Sequence, residues 1–254
     1  MFASVNPWFS TSLGKRVLKT ETAIIEQLLP GFFGYHLLQL SVQEQPLYES
    51  SPIRHKFTLS SALYDGETSV IANPDLLPFE DDSLDVVLLH HLLDFQDSPQ
   101  NLLREVTRVA RPMGQVVIVG FNPFSLWGMW KPIGALRHRQ PWEGKFISPG
   151  RLMDWLTLLN FKIDRAQYSI YGLPYNRNED DLTLDDYSHG LSRNPNWPFG
   201  AIYVIVARKQ VGTMTPIKPV WKKNQSLGKL NVVRPTAGRD IATRGFPPIS
   251  KEEE

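Results

Sequence analysis

Residues 72–95 read ANPDLLPFEDDSLDVVLLHHLLDF. Within them Leu84–Leu89 is an almost continuous apolar run, broken only by Asp85. Such a run describes a strand buried on both faces. An acidic, proline-containing loop leads into it, and His90, His91 and Asp94 follow it. Burial on both faces requires helices above and below the sheet, which puts the chain in the α/β class.

The pattern continues in both directions. Ser98 followed by Pro99 is a helix start, and Leu102, Val106, Val109 and Ala110 form its apolar stripe. Residues 111–114 turn the chain into Gln115–Gly120, a second buried strand. Upstream, a helix capped by Thr20 pairs Ile24 with Leu28 and Ile25 with Leu29, and stops at Pro30 and Gly31. Tyr35–Leu40, Ile53–Leu59 and Ser69–Ala72 are predicted strands. Downstream, Ser148 and Pro149 start a helix that buries Leu152, Trp155, Leu156 and Leu159. Phe161–Tyr171 and Ala201–Arg208 are the closing strands. Strands alternating with helices imply a mostly parallel sheet with right-handed crossovers.

The quoted stretch resembles the third and fourth strands of class I S-adenosylmethionine-dependent methyltransferases. It is most similar to the subgroup that includes the ubiquinone/menaquinone C-methyltransferases. That subgroup has an acidic loop ending Leu-Pro-Phe, here Leu77 to Phe79, and a Phe-Asp-x-Val strand, here Leu84 to Val87. Its next helix reads Leu-Arg-Glu-x-x-Arg-Val-Leu, here Leu103 to Ala110, and ends in a Pro-Gly-Gly turn, here Pro112 to Gly114. The likeness is specific over residues 72–120 and looser over 20–209. It implies a Rossmann-like, doubly wound, mostly parallel seven-stranded sheet whose last, antiparallel strand is Ala201–Arg208. It also implies S-adenosylmethionine as cofactor, bound at the carboxyl ends of the strands.

On the resemblance, the cofactor-binding positions are Gln39, Ser41, Gln43, Ser60, Asn73, Leu76 and His90. The family's Asp-x-Gly-x-Gly-x-Gly loop after the first strand reads here from Gln39 to Gln45, with Ser41, Gln43 and Gln45 at the glycine positions. If those positions need positive φ, each side chain adds strain. The ribose-binding acid is replaced by serine at Ser60, and the acid facing adenine by Asn73. Two readings stand: a methyltransferase of unknown acceptor, or a methyltransferase-fold protein that has lost its cofactor and serves as a binding or partner-regulating module.

For the enzyme, His91 and Asp94 are the candidates for a base or for orienting the acceptor. His90 is expected on the opposite face, since strand neighbours alternate. No metal is expected, because adjacent histidines on a strand diverge and no i,i+4 pair is present. Phosphate-loop and Gly-x-Ser-x-Gly motifs are missing, which argues against those hydrolase classes.

Residues 121–145 form an aromatic and basic insert with Phe121, Phe124, Trp127, Trp130, Lys131, Arg137, Arg139, Trp142 and Lys145. It is expected either to wall a bulky apolar or aromatic acceptor or to touch a membrane surface peripherally. A second insert, 172–200, carries Glu179, Asp180, Asp181, Asp185 and Asp186. Residues 1–209 are read as one domain and 210–254 as a disordered tail. The tail has eight basic and four acidic residues, while the whole chain carries +1. Nucleic-acid binding is therefore not expected. There is no cysteine and no long apolar segment, so the reading is a cytoplasmic protein without a disulfide framework, thiol nucleophile or membrane span.

Overall fold

The computed structural model describes residues 6–43, 45–60, 70–136, 140–174 and 196–211. The chain divides into two units, residues 1–213 and 214–254, and the elements below belong to the first. The expected tail beyond residue 211 and the acidic residues of the second insert lie outside the described residues.

Two helices open the chain, α1 (Asn6–Phe9) and α2 (Ser12–Leu28), followed by a 3-10 turn at Leu29–Gly31. The strands are β1 (His36–Ser41), β2 (His55–Ser60), β3 (Val70–Ile71), β4 (Leu84–His90), β5 (Ala110–Phe121), β6 (Phe161–Ser169) and β7 (Ile202–Lys209). Between them run α3 (Leu92–Phe95), α4 (Pro99–Val109), α5 (Leu126–Ala135) and α6 (Pro149–Leu158). The sheet order is β3-β2-β1-β4-β5-β7-β6. β1 pairs in parallel with both β2 and β4, so the winding reverses there. β7 runs antiparallel to β5 and to β6. This is the class I methyltransferase fold.

Strand alternation divides the core between the two faces. Leu38, Leu40, Val87, Leu89, Val116 and Ile118 pack in one apolar cluster. Leu37, Val86, Leu88, Val117 and Val119 pack in the other. Helix α2 starts earlier than the sequence suggests. Thr11 is the cap and accepts the Gly14 N–H at 3.1 Å. Thr20 lies inside the helix and donates to the Arg16 carbonyl, because the apolar stripe already begins at Val17. The expected turn at 111–114 is a bulge within β5, with Met113 at φ 68° and a register shift between Leu84 and Val86.

Three polar ties fix the loops that lead to the strand ends. Asp85 accepts the N–H groups of Tyr35 and His36 at 2.8 and 3.0 Å and pairs with Arg111. It fills the space beside Gly34, where a β-carbon would collide with its side chain. From α4, Arg108 donates to the carbonyls of Leu77 and Phe79 and pairs with Asp81 and Glu105. Glu105 also accepts the Leu77 N–H. Thus the Leu-Pro-Phe loop and the Arg-bearing helix, two separate pieces of the sequence pattern, are one clamp. Last, Lys209 at the end of β7 donates to Asp82 and to the carbonyls of Thr107 and Ala110 at 2.7–2.8 Å.

Candidate functional site

At the carboxyl end of β4 four ionisable side chains, all fully buried, form one hydrogen-bonded chain. His90 Nε2 lies 2.9 Å from Glu21 Oε2, and His91 Nε2 lies 2.7 Å from Glu21 Oε1. His91 Nδ1 lies 3.1 Å from Asp94 Oδ2, which also accepts the Phe121 N–H at 3.0 Å. His90 Nδ1 lies 3.0 Å from the Ser41 hydroxyl, whose oxygen accepts the Gln43 N–H. Phe9 covers both imidazoles, and the Phe121 ring stacks on His91 at 4.0 Å.

The two histidines therefore do not diverge. His91 follows the last residue of β4 and takes the left-handed conformation, φ 54°. That turn swings its ring round to the acid its neighbour already binds. A non-glycine residue there costs about 1–3 kcal/mol, which the surrounding contacts must offset.

Burial pushes the Glu21 carboxyl up, but the attraction of His91 and hydrogen bonds from His90 and His91 outweigh it and bring it down to about 2. Burial pulls His91 down, but the attraction of Glu21 and the bond to Asp94 raise it to about 9. His90 is lowered and Asp94 raised, in both cases chiefly by burial. Both His91 nitrogens lie against carboxylates, Glu21 and Asp94, so in this arrangement neither is directed at a methyl acceptor. The unspent polar atoms nearby are Asp94 Oδ1 and the Tyr203 hydroxyl, both buried without a partner.

Glu21 was missed in the sequence. Its signal was there: it falls within the α2 stripe of Val17, Ile24, Ile25 and Leu28, where a carboxylate must have a partner.

The loop after β1 turns without positive φ at Ser41, Gln43 or Gln45, so the anticipated strain does not arise. Its side chains serve the loop itself. Gln39 donates to the Gln45 carbonyl and accepts the Leu47 N–H. Gln43 folds back onto the backbone of Gln45. Ser41 is held by His90. Gln39, Ser41, Gln43 and His90 are thus engaged with the protein, contrary to the expectation that they face a ligand. Asn73 and Leu76, after β3, are exposed, Leu76 by 73%, and Asn73 accepts the Asp75 N–H with its side chain and the Leu76 N–H with its carbonyl. Ser60 ends β2.

Beside this loop a cavity of about 580 Å³ opens between α1, α2 and Gln45. Phe9, Leu18, Lys15, Lys19 and Glu26 line it.

In the aromatic insert, Phe121, Trp127 and Trp142 are core. Lys131 lies 4.6 Å over the Phe146 ring and is lowered by burial. In contrast Leu126, Met129, Trp130 and Ile133 form an exposed apolar stripe along α5. Among the described residues no helix is long and apolar enough to cross a membrane.

Comparison with known proteins agrees with this architecture. A family model described as a methyltransferase domain matches residues 54–118. The uncharacterized protein YafS of Escherichia coli is 34% identical over 217 residues, covering 83% of this chain and 84% of that one. A SAM-dependent methyltransferase of Thermotoga maritima superposes with a TM-score of 0.61 at 18% identity, covering 80% of this chain and 93% of that one. One from Archaeoglobus fulgidus gives 0.54 at 18% identity, covering 75% and 94%.

Proposed function

The chain belongs to the family of the uncharacterized protein YafS of Escherichia coli, and from its fold and its cavity we propose that it is an S-adenosylmethionine-dependent methyltransferase. The observation that carries this reading is the strand order, which reverses between β1 and β4. Ligands of open α/β sheets bind at the carboxyl ends of the strands flanking such a reversal, and Gln45, in the loop that follows β1, also lines the cavity on α1 and α2.

The donor set suits the cofactor, though not through the loop glutamines. The methionine end of the cofactor is a zwitterion, and the cavity presents Lys15 and Lys19 for its carboxylate and Glu26 for its ammonium. Asn73 offers an amide to the adenine edge and Leu76 an apolar face. By its place at the end of β2, Ser60 is assigned to the ribose end of the cofactor.

When bound, the cofactor supplies an electrophilic methyl group. The protein orients the acceptor and keeps water out. His91 and Asp94 are positioning residues on this reading. Their hydrogen bonds hold the end of β4 and the Phe121 ring in place. The apolar stripe of α5 favours a bulky apolar acceptor on that side of the sheet.

Calorimetric titration with S-adenosylmethionine and S-adenosylhomocysteine tests the proposal. Micromolar binding is expected. No heat with either ligand at millimolar concentration would overturn it and leave the fold as a binding module.

A further inference from the structure

We propose that Glu21, His90 and His91 form a binding site for one divalent transition-metal ion of the zinc class, fastening α2 to the end of β4. The proposal does not rest on the methyltransferase reading.

The donor set is two imidazole nitrogens and a carboxylate, a combination suited to zinc and its first-row neighbours. One ligand atom from each residue lies within 4.8 Å of the others, and all three side chains are buried. Convergence is built in by the backbone, because only the left-handed turn at His91 brings adjacent histidines onto one acid.

The outer nitrogens strengthen the case. A metal-bound imidazole needs a partner for its second nitrogen, which fixes the tautomer and ring direction. Here His91 Nδ1 faces the Asp94 carboxylate, and His90 Nδ1 faces the Ser41 hydroxyl. Each can accept an N–H, which leaves both Nε2 lone pairs facing the Glu21 carboxylate, one at each oxygen. Without an ion, Nε2 protons occupy those two contacts. Imidazole and carboxylate ligands lie about 2.0–2.2 Å from zinc, so adjacent ligands in a tetrahedral site stand about 3.4 Å apart. The contacts of 2.7 and 2.9 Å would open by roughly half an ångström.

The site lies under Phe9, away from bulk water. An ion there is structural, taken up during folding or when α1 lifts.

The full-length protein, purified without chelator, is analysed for metal by mass spectrometry. Stripped protein is then titrated with Co²⁺, followed by its visible d–d absorption, and with competing Zn²⁺. One ion per chain is expected, with Zn²⁺ raising the melting temperature. Glu21→Gln should abolish uptake. Because that variant can fail to fold, Ser41→Ala is measured alongside it, and its affinity should fall about 10–100-fold. Gln27→Ala, an exposed change on the same helix, should bind as the parent does. No uptake by folded parent protein would overturn the proposal. So would undiminished uptake by folded Glu21→Gln, which would put the ion elsewhere.

Discussion

Glu21 and His91 meet at 2.7 Å, 70 residues apart in sequence and both fully buried. The contact joins the second helix to the end of the central strand, so the N-terminal helices are part of the fold and not an accessory to it. Breaking a buried pair by removing one partner costs about 3–5 kcal/mol. Glu21→Ala should therefore lower the stability of the chelator-treated protein by about that much in urea denaturation. Glu26→Ala, an exposed change on the same helix, should move it by less than about 0.5 kcal/mol. Equal effects of the two would refute the role given to Glu21.

The same cluster sets how the metal-free protein responds to pH. As pH falls, Glu21, held at about 2 against an ordinary 4.5, takes up a proton in the unfolded chain first, so its contribution disappears below pH 4.5. His90, lowered from 6.5, acts in the same direction below that value. As pH rises, His91, raised from 6.5 to about 9, loses its contribution between those values. Asp94, raised from 3.8, also favours lower pH. Stability should peak in the weakly acidic range and decline from pH 6.5 to 9, by up to about 1.4 kcal/mol per pH unit for one proton. His91→Gln should flatten the alkaline limb. An unchanged limb would show that another group governs it.

The cofactor reading makes exposed residues matter for binding and not for folding. Lys19→Ala and Asn73→Leu should each weaken S-adenosylhomocysteine binding about tenfold, the equivalent of about 1.4 kcal/mol. Their melting temperatures should stay at the parent value, since Lys19 and Asn73 are exposed. Affinity unaffected by both changes would move the ligand away from the cavity and the end of β3.

Gly34 and Gly31 lie three residues apart in unlike surroundings. A β-carbon at Gly34 collides with Asp85, which two backbone N–H groups hold in place. At Gly31 nothing lies within 4 Å. Gly34→Ala should cost about 1–3 kcal/mol, as overpacking does, while Gly31→Ala should be neutral or slightly stabilising. Thermal melts of the two variants would tell them apart.

Arg108→Met would keep the side-chain stem and remove the bonds to Leu77, Phe79, Asp81 and Glu105. A loss of about 2 kcal/mol is expected. Hydrogen exchange should become faster in residues 77–83 and stay unchanged in β6 and β7. Uniform acceleration would instead mean that the clamp acts globally.

Much of this could be read from the residues. Leu84–Leu89 and Val116–Val119 are central strands because two-sided burial leaves a continuous apolar signal. The Leu-Pro-Phe and Arg-bearing segments were recognisable as a pattern, and their contact through Arg108 explains why they occur together. The site was less legible. Strand alternation predicted that His90 and His91 would diverge, but it holds only while φ stays extended. The exception at His91 depends on Glu21 and Asp94, which no local rule brings together. The loop glutamines were read as facing a ligand, but glutamine carries both donor and acceptor and can satisfy the backbone of its own turn.

The ammonium of Lys209 also sets how far the chain can be shortened from its C-terminal side. It joins three oxygens, of Asp82 in the turn before β4, of Thr107 in the last turn of α4 and of Ala110 at the start of β5, and its residue makes the last pairing of β7, opposite Phe161. The Gln210 N–H then bonds to the Asn160 carbonyl. A fragment ending at Val211 retains all of these, whereas one ending at Arg208 leaves the carbonyls of Thr107, Ala110 and Asn160 without those donors. Crystallisation and isotope labelling of the sheet unit should therefore use the longer boundary.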